Sequence, residues 1–142
     1  LVRSLVNVRK KLHHSARDLS DEQLNIKLYP GQRSPGEVLR YIALIQDFVI
    51  NKMLLPLIEG NEPQEFDSYE QVKPANGLSM SALKDALLTA QEDAVVFIRE
   101  HSGNLRGLPR LKHPRLGRMS PKTWLYFLYL HELKHIKQLK VM

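Results

Sequence analysis

Cysteine is absent from this chain, which excludes disulfides and thiolate metal sites and suits a reducing compartment; a cytoplasmic location is the expectation. Long apolar runs are absent too. The longest, Trp124 to Leu130, contains two tyrosines and falls far short of the roughly 18 to 20 residues that cross a bilayer, so no membrane partner is expected. The opening residues Leu1-Val2-Arg3-Ser4 lack the apolar stretch and small-residue cleavage site of a secretory signal, and nothing in them argues for export. The third absence is local. No Asp or Glu lies between Glu100 and Glu132, whereas Arg106, Arg110, Lys112, Arg115, Arg118 and Lys122 all do. Those cations account for the entire net charge of +6. Such a loop could meet an anionic substrate, a nucleic-acid backbone or an acidic partner. The simpler reading is a solvated loop kept soluble by its arginines, and nucleic acid is not expected because no recognised binding module is visible.

What is present reads as one domain. With 142 residues, 43% of them hydrophobic, the chain can bury one sizeable core over residues 1–142 and has no room for a second. Four segments show helical periodicity, and no strand-like alternation competes with them. The first covers residues 2–18, with Leu5, Val8, Leu12, Ala16 and Leu19 on one stripe and Arg3, Lys10, Lys11 and Arg17 mostly off it. Ser20-Asp21-Glu22-Gln23 caps a short turn before Tyr29-Pro30-Gly31 breaks the chain. Ser34-Pro35-Gly36-Glu37 is the clearest helix start: a serine cap, proline at the first helical position, and glutamate where a capping box needs it. That helix carries Val38, Tyr41, Ile42, Ile45, Phe48 and Val49 inward and runs to about Ile58, with Pro56 kinking or ending it. A long crossover from Gly60 to Gly77 leads to a third helix that starts near Ser79 or Ser81 and carries Leu83, Leu87, Ala90, Ala94, Phe97 and His101 on one face. Ser120-Pro121 repeats the serine and proline device, and the fourth helix runs from Pro121 to about Leu139. The expected fold is therefore all-α, an antiparallel four-helix bundle with a long crossover between its second and third helices. The short connection favours the first two helices as neighbours.

The chemistry concentrates on the last helix. Trp124, Phe127, Leu128, Ile136 and Leu139 define its apolar face, and His131 and His135 fall on that same stripe. Imidazoles four residues apart can share one metal ion, and a divalent cation (Zn, Ni, Fe or Mn) is the candidate cofactor. The alternative is a pair of core histidines satisfied by a tyrosine or a backbone carbonyl. His131-Glu132-Leu133-Lys134-His135 also spells the zinc-protease pattern H-E-x-x-H. A peptidase is not expected, because only seven residues follow His135 and Glu132, about 100° around the helix from His131, can as easily face solvent. Tyr41, Glu37, His101 and His113 are the candidates for a third ligand, with Tyr41 better explained as a core tyrosine bonded to one of the histidines. His13 and His14 have no second ligand at metal spacing and are expected at the surface.

Three motifs in order, Ser34-Pro35-Gly36-Glu37-Val38-Leu39, His113-Pro114-Arg115-Leu116-Gly117 with Ser120, and His131-Glu132-Leu133-Lys134-His135 followed by Gln138, resemble the DinB-like (YfiT-like) four-helix superfamily over most of the chain. The resemblance implies an up-down-down-up bundle and a divalent metal held by one histidine of the second helix and two of the fourth. His131 and His135 match the latter two. Tyr41 stands where the usual third ligand would be, and Arg33 stands where a tryptophan often precedes the helix-two serine. The implied activity is that of a metal-dependent hydrolase or a thiol-dependent transferase, with bacillithiol or mycothiol as thiol and a small anionic or thiol substrate. The alternative is a non-catalytic member with a degenerate metal site, acting as a binding or structural protein. A homodimer is expected in either case.

Overall fold

Serine caps four of the helices in the computed structural model, which describes residues 1–27, 29–66 and 77–142. Helix α1 covers Val2–Ala16, and the single turn α2 (Asp21–Leu24) follows behind a complete capping box on Ser20. Helix α3 (Pro35–Asp47) opens with the same reciprocal bonds between Ser34 and Glu37. Gly36 in its first turn lies so close to α2 that a Cβ there would stand 2.7 Å from the Leu24 carbonyl oxygen, so this position accepts no side chain without displacing α2. Helix α5 (Met80–His101) is capped by Ser79, and α6 (Pro121–Lys140) by Ser120.

Proline shapes the far end of α3. Pro56 has no N–H to give the Lys52 carbonyl one turn earlier. The helix continues through a wide π turn, Phe48–Leu54, into α4 (Leu55–Ile58), and the Lys52 oxygen accepts instead from the Gln64 N–H at 2.9 Å. The continuous stretch 35–58 is long and apolar enough on average to cross a membrane, although Arg40, Gln46, Asp47 and Asn51 break it into short apolar runs. Its apolar side chains, Val38, Leu39, Ile42, Ile45, Val49, Ile50 and Met53, are instead buried in the bundle core.

Two apolar clusters fix the directions of the helices. One joins Leu5 of α1, Ile45 and the π turn, Ala94 and Phe97 of α5, and Trp124 and Leu128 of α6. The other joins Leu12 and Ala16 of α1, Val38 and Leu39 of α3, Leu83 and Leu87 of α5, and Ile136 of α6. The chain thus runs from the first cluster to the second in α1 and α6, and the opposite way in α3 and α5. This is an up-down-down-up bundle. Its principal packings are α3 on α5 and α1 on α6, with α3 on α6 and α1 on α5 completing the ring. The first helix therefore takes α6 and α5 as its main neighbours, not α3 as the short connection suggested. Parallel α3 and α5 require the connection between them to climb the bundle, which explains its length; residues 67–76 of that crossover lie outside the described residues.

The basic segment is not a plain loop. Leu111–His113 (β1) and Gly117–Met119 (β2) pair as a small antiparallel hairpin, Leu111 opposite Met119 and His113 opposite Gly117. Gly117 takes the positive φ, +77°, that such a short connection needs. The Trp124 indole N–H donates to the Leu111 carbonyl at 3.0 Å and ties the hairpin to α6. Strands of three residues are too short for alternation to reveal them.

Between the two clusters lies a buried ion pair. The Arg9 guanidinium donates from Nε and Nη2 to the two Glu132 oxygens, each at 2.9 Å, while Nη2 also reaches Gln46 Oε1 at 2.6 Å and Nη1 the Leu87 carbonyl. Arg9 and Glu132 are 4% and 2% exposed. Glu132 thus faces α1 and not solvent. Removing one partner strands the other charge in a dry interior: Arg9→Met or Glu132→Leu alone is expected to cost about 3–5 kcal/mol. The double variant Arg9→Met/Glu132→Leu is expected to recover most of that loss in urea unfolding; strictly additive losses would show that the two charges do not depend on each other.

Candidate functional site at the histidine pair

The antiparallel contact of α3 with α6 brings the second turn of α3 against the C-terminal half of α6. Tyr41, 1% exposed, sits with its ring centroid 5.2 Å from that of His131 and 5.5 Å from that of His135. The two histidines meet through Nε2 atoms 3.1 Å apart. His135 Nδ1 is 2.7 Å from Gln138 Oε1. An amide oxygen only accepts, so His135 carries its proton on Nδ1 and its Nε2 accepts from the Nε2–H of His131. The tautomers of both rings are set by this chain, whose last link is Gln138.

The surroundings are cationic. Arg33, in the loop before α3, lays its guanidinium 4.0 Å from the centroid of the Tyr41 ring. The two departures from the superfamily pattern noted above are therefore one feature: an arginine stacked on a tyrosine. Arg115 of the hairpin turn and Lys134 of α6 complete a pocket of about 240 Å3 around Arg33, Tyr41, His131 and His135, and among the described residues no carboxylate lines it. Burial first, then His135, Lys134, Arg33 and His113, holds the His131 pKa down to about 3 from 6.5. Burial also lowers that of His135, against the raising effect of its Gln138 bond, with Lys134 and Arg33 adding to the lowering. Both imidazoles are neutral at pH 7.

A resident divalent cation does not fit this shell. Two imidazole nitrogens on one tetrahedral metal lie roughly 3.3 Å apart at ordinary zinc–nitrogen bond lengths, and the His131–His135 separation suits that. The rest does not: among the described residues no group of three His, Cys, Asp or Glu side chains converges, and the charged side chains among them that line the pocket, Arg33, Arg115 and Lys134, are all positive. His113, one proposed third ligand, is buried and spends Nδ1 accepting the N–H groups of Arg115 and Leu116 at 3.0 and 3.1 Å. Phe127 contacts the rings of both His113 and His131, so the site histidines and the hairpin histidine belong to one aromatic cluster. Glu37 serves the Ser34 cap and Lys27, and His101 lies beside Glu100 and Phe97. Neither joins the pair. Glu132, the would-be general base of H-E-x-x-H, is engaged by Arg9 on another face of the helix.

Neutral buried histidines make stability depend on pH in a set direction. Below 6.5 the unfolded chain takes up protons that folded His131 refuses, so stability is full above that value and falls as pH drops towards 3, by up to about 1.4 kcal/mol per pH unit for each such group. Urea midpoints measured from pH 7 to pH 5 should fall less steeply in His131→Gln than in the parent; equal slopes would mean His131 titrates freely in the fold.

A solved structure described as "TT2238, a four-helix bundle protein" is similar over 99% of this chain and 95% of its own, with a TM-score of 0.76 and 21% identity, a likeness of fold. No curated protein matches the chain. The model of the DinB superfamily matches residues 4–139. Motifs, helix directions and this match over nearly the whole chain agree, and the protein belongs to the DinB superfamily.

Proposed function

We propose that this DinB-superfamily protein binds a small anion at the His131/His135 pocket and does so without a resident metal. The observation that carries the reading is the pocket's composition: Arg33, Arg115 and Lys134 around a neutral histidine pair, with no carboxylate among the described lining residues. Such a shell attracts a carboxylate or phosphate and repels a dication. Arg33, Lys134 and His135 also line an adjoining open cleft of about 570 Å3 with Gln32 and Gln138, which leaves room for a ligand larger than its anionic head. Both imidazole N–H groups are spent within the relay, so the charged donors for the anion are Arg33, Arg115 and Lys134. In the pair as oriented by Gln138, the remaining lone pair is His131 Nδ1, an acceptor for a hydroxyl or amide N–H on the body of the ligand.

The competing reading, a metal-dependent hydrolase or thiol transferase, draws on the convergence of the two Nε2 atoms. Elemental analysis of untagged protein, purified without chelating resin, separates the two readings when run beside His131→Ala/His135→Ala. Substoichiometric metal in both, together with saturable phosphate or succinate binding by calorimetry, is the expected result. About one metal per chain, lost in the variant, would overturn the metal-free reading. Arg33→Ala and Lys134→Ala should each weaken anion binding about tenfold, the effect of losing one charge-assisted bond.

A further inference from the structure

A second pocket lies at the other end of the bundle, where α6 begins. Its volume is about 500 Å3, in the range of small-molecule sites. Leu105, 9% exposed, and Leu125, 2% exposed, form its floor with the half-buried Leu108, and Tyr126 stands at its side. Arg106, Arg110 and Lys122 line the same pocket, and among the described residues no acidic one does. Half of the cations that make the chain basic thus gather at one apolar cavity. Among the described residues none of the three has an ion-pair partner. Pro121 at the first helical position has no N–H, and the Thr123 N–H is taken by the Ser120 hydroxyl. The Lys122 N–H is then the first-turn donor of α6 left facing the pocket end, on a helix with no acid in its first turn.

We infer that this pocket is a binding site for an amphipathic monoanion, a medium-chain aliphatic or aryl carboxylate, whose tail covers the leucines and whose head meets Arg106, Arg110 and Lys122. Both halves of that ligand are required by the walls. An inorganic anion would leave the Leu105/Leu108/Leu125 floor wet, and a neutral lipid would leave three cations without a counter-charge. The site is separate from the histidine pocket: Lys122 and His131 are nine positions apart on α6, about 14 Å along its axis. The two proposals therefore stand or fall independently.

The test uses the intact chain with decanoate as probe and decanol as its uncharged counterpart, followed by amide NMR shifts. Saturable shifts at Gly107, Leu108 and Lys122 are expected, with decanol binding about tenfold or more weaker, as loss of the charge-assisted contacts dictates. Replacing all three cations, Arg106→Ser/Arg110→Ser/Lys122→Ser, should weaken decanoate by at least that factor. Leu108→Glu, which places a carboxylate in the pocket from a half-buried position, should abolish binding while the spectrum remains that of the folded bundle. Shifts confined to His135 and Gln138, equal binding of decanol, or no saturable shift up to the solubility limit of decanoate would each overturn the inference.

Discussion

One guanidinium ties the four long helices together. Arg9 of α1 spends its donors on Glu132 of α6, Gln46 of α3 and a backbone carbonyl of α5, so a single side chain touches every wall of the bundle at the level where its two apolar clusters meet. Apolar packing alone tolerates a helix that slides or rotates by a fraction of a turn. A bidentate carboxylate pair does not, because both oxygens must find both nitrogens. The pair adds little net stability, since two charges must leave water to form it. Its effect is to fix the register of α6 against α1. His131 is the residue beside Glu132, and its direction towards Tyr41 follows from that register.

The chemistry of the site follows from what that geometry excludes. Glu132 is turned about 100° away from His131 around the helix and is engaged by Arg9, so it does not line the pocket, and no other acid does among the described residues. With Arg33, Arg115 and Lys134 close by, a proton on either imidazole meets like charges as well as an apolar environment. Burial and charge push the same way. In this chain the pair is two neutral rings among positive charges, and the arginine at position 33 rests on the tyrosine at position 41.

Much of this was readable in the residues. The serine and proline devices at 34–35 and 120–121 are local chemistry, and local chemistry does not wait for tertiary packing. The inward direction of His131 and His135 followed from spacing alone. Arg9 was missed although it falls on the stripe Leu5, Leu12, Ala16 at helical intervals, just as Glu132 falls on that of Leu125, Leu128 and Ile136. Two opposite charges on inward stripes were the available signal. It was passed over because charged residues are seldom buried. The neighbour of α1 was misjudged because a short connection sets which helices are consecutive in space only when topology is a simple meander. The hairpin was invisible because three paired residues are too few to show a period, and Arg115 reaches the histidine pocket only by virtue of that hairpin.

The wide turn at Phe48–Leu54 separates this architecture into two halves that can change independently. A π turn accommodates one more residue than an α turn of the same rise, the footprint left when a residue is inserted into a helix. Upstream of it, Tyr41 keeps its place opposite the histidines; downstream, the chain adapts to Pro56, Phe66 and the hairpin. Because the extra residue is absorbed in between, lengthening or remodelling of the hairpin end does not propagate as a rotation of Tyr41. One end of the bundle is thereby uncoupled from the alignment of the other with α6.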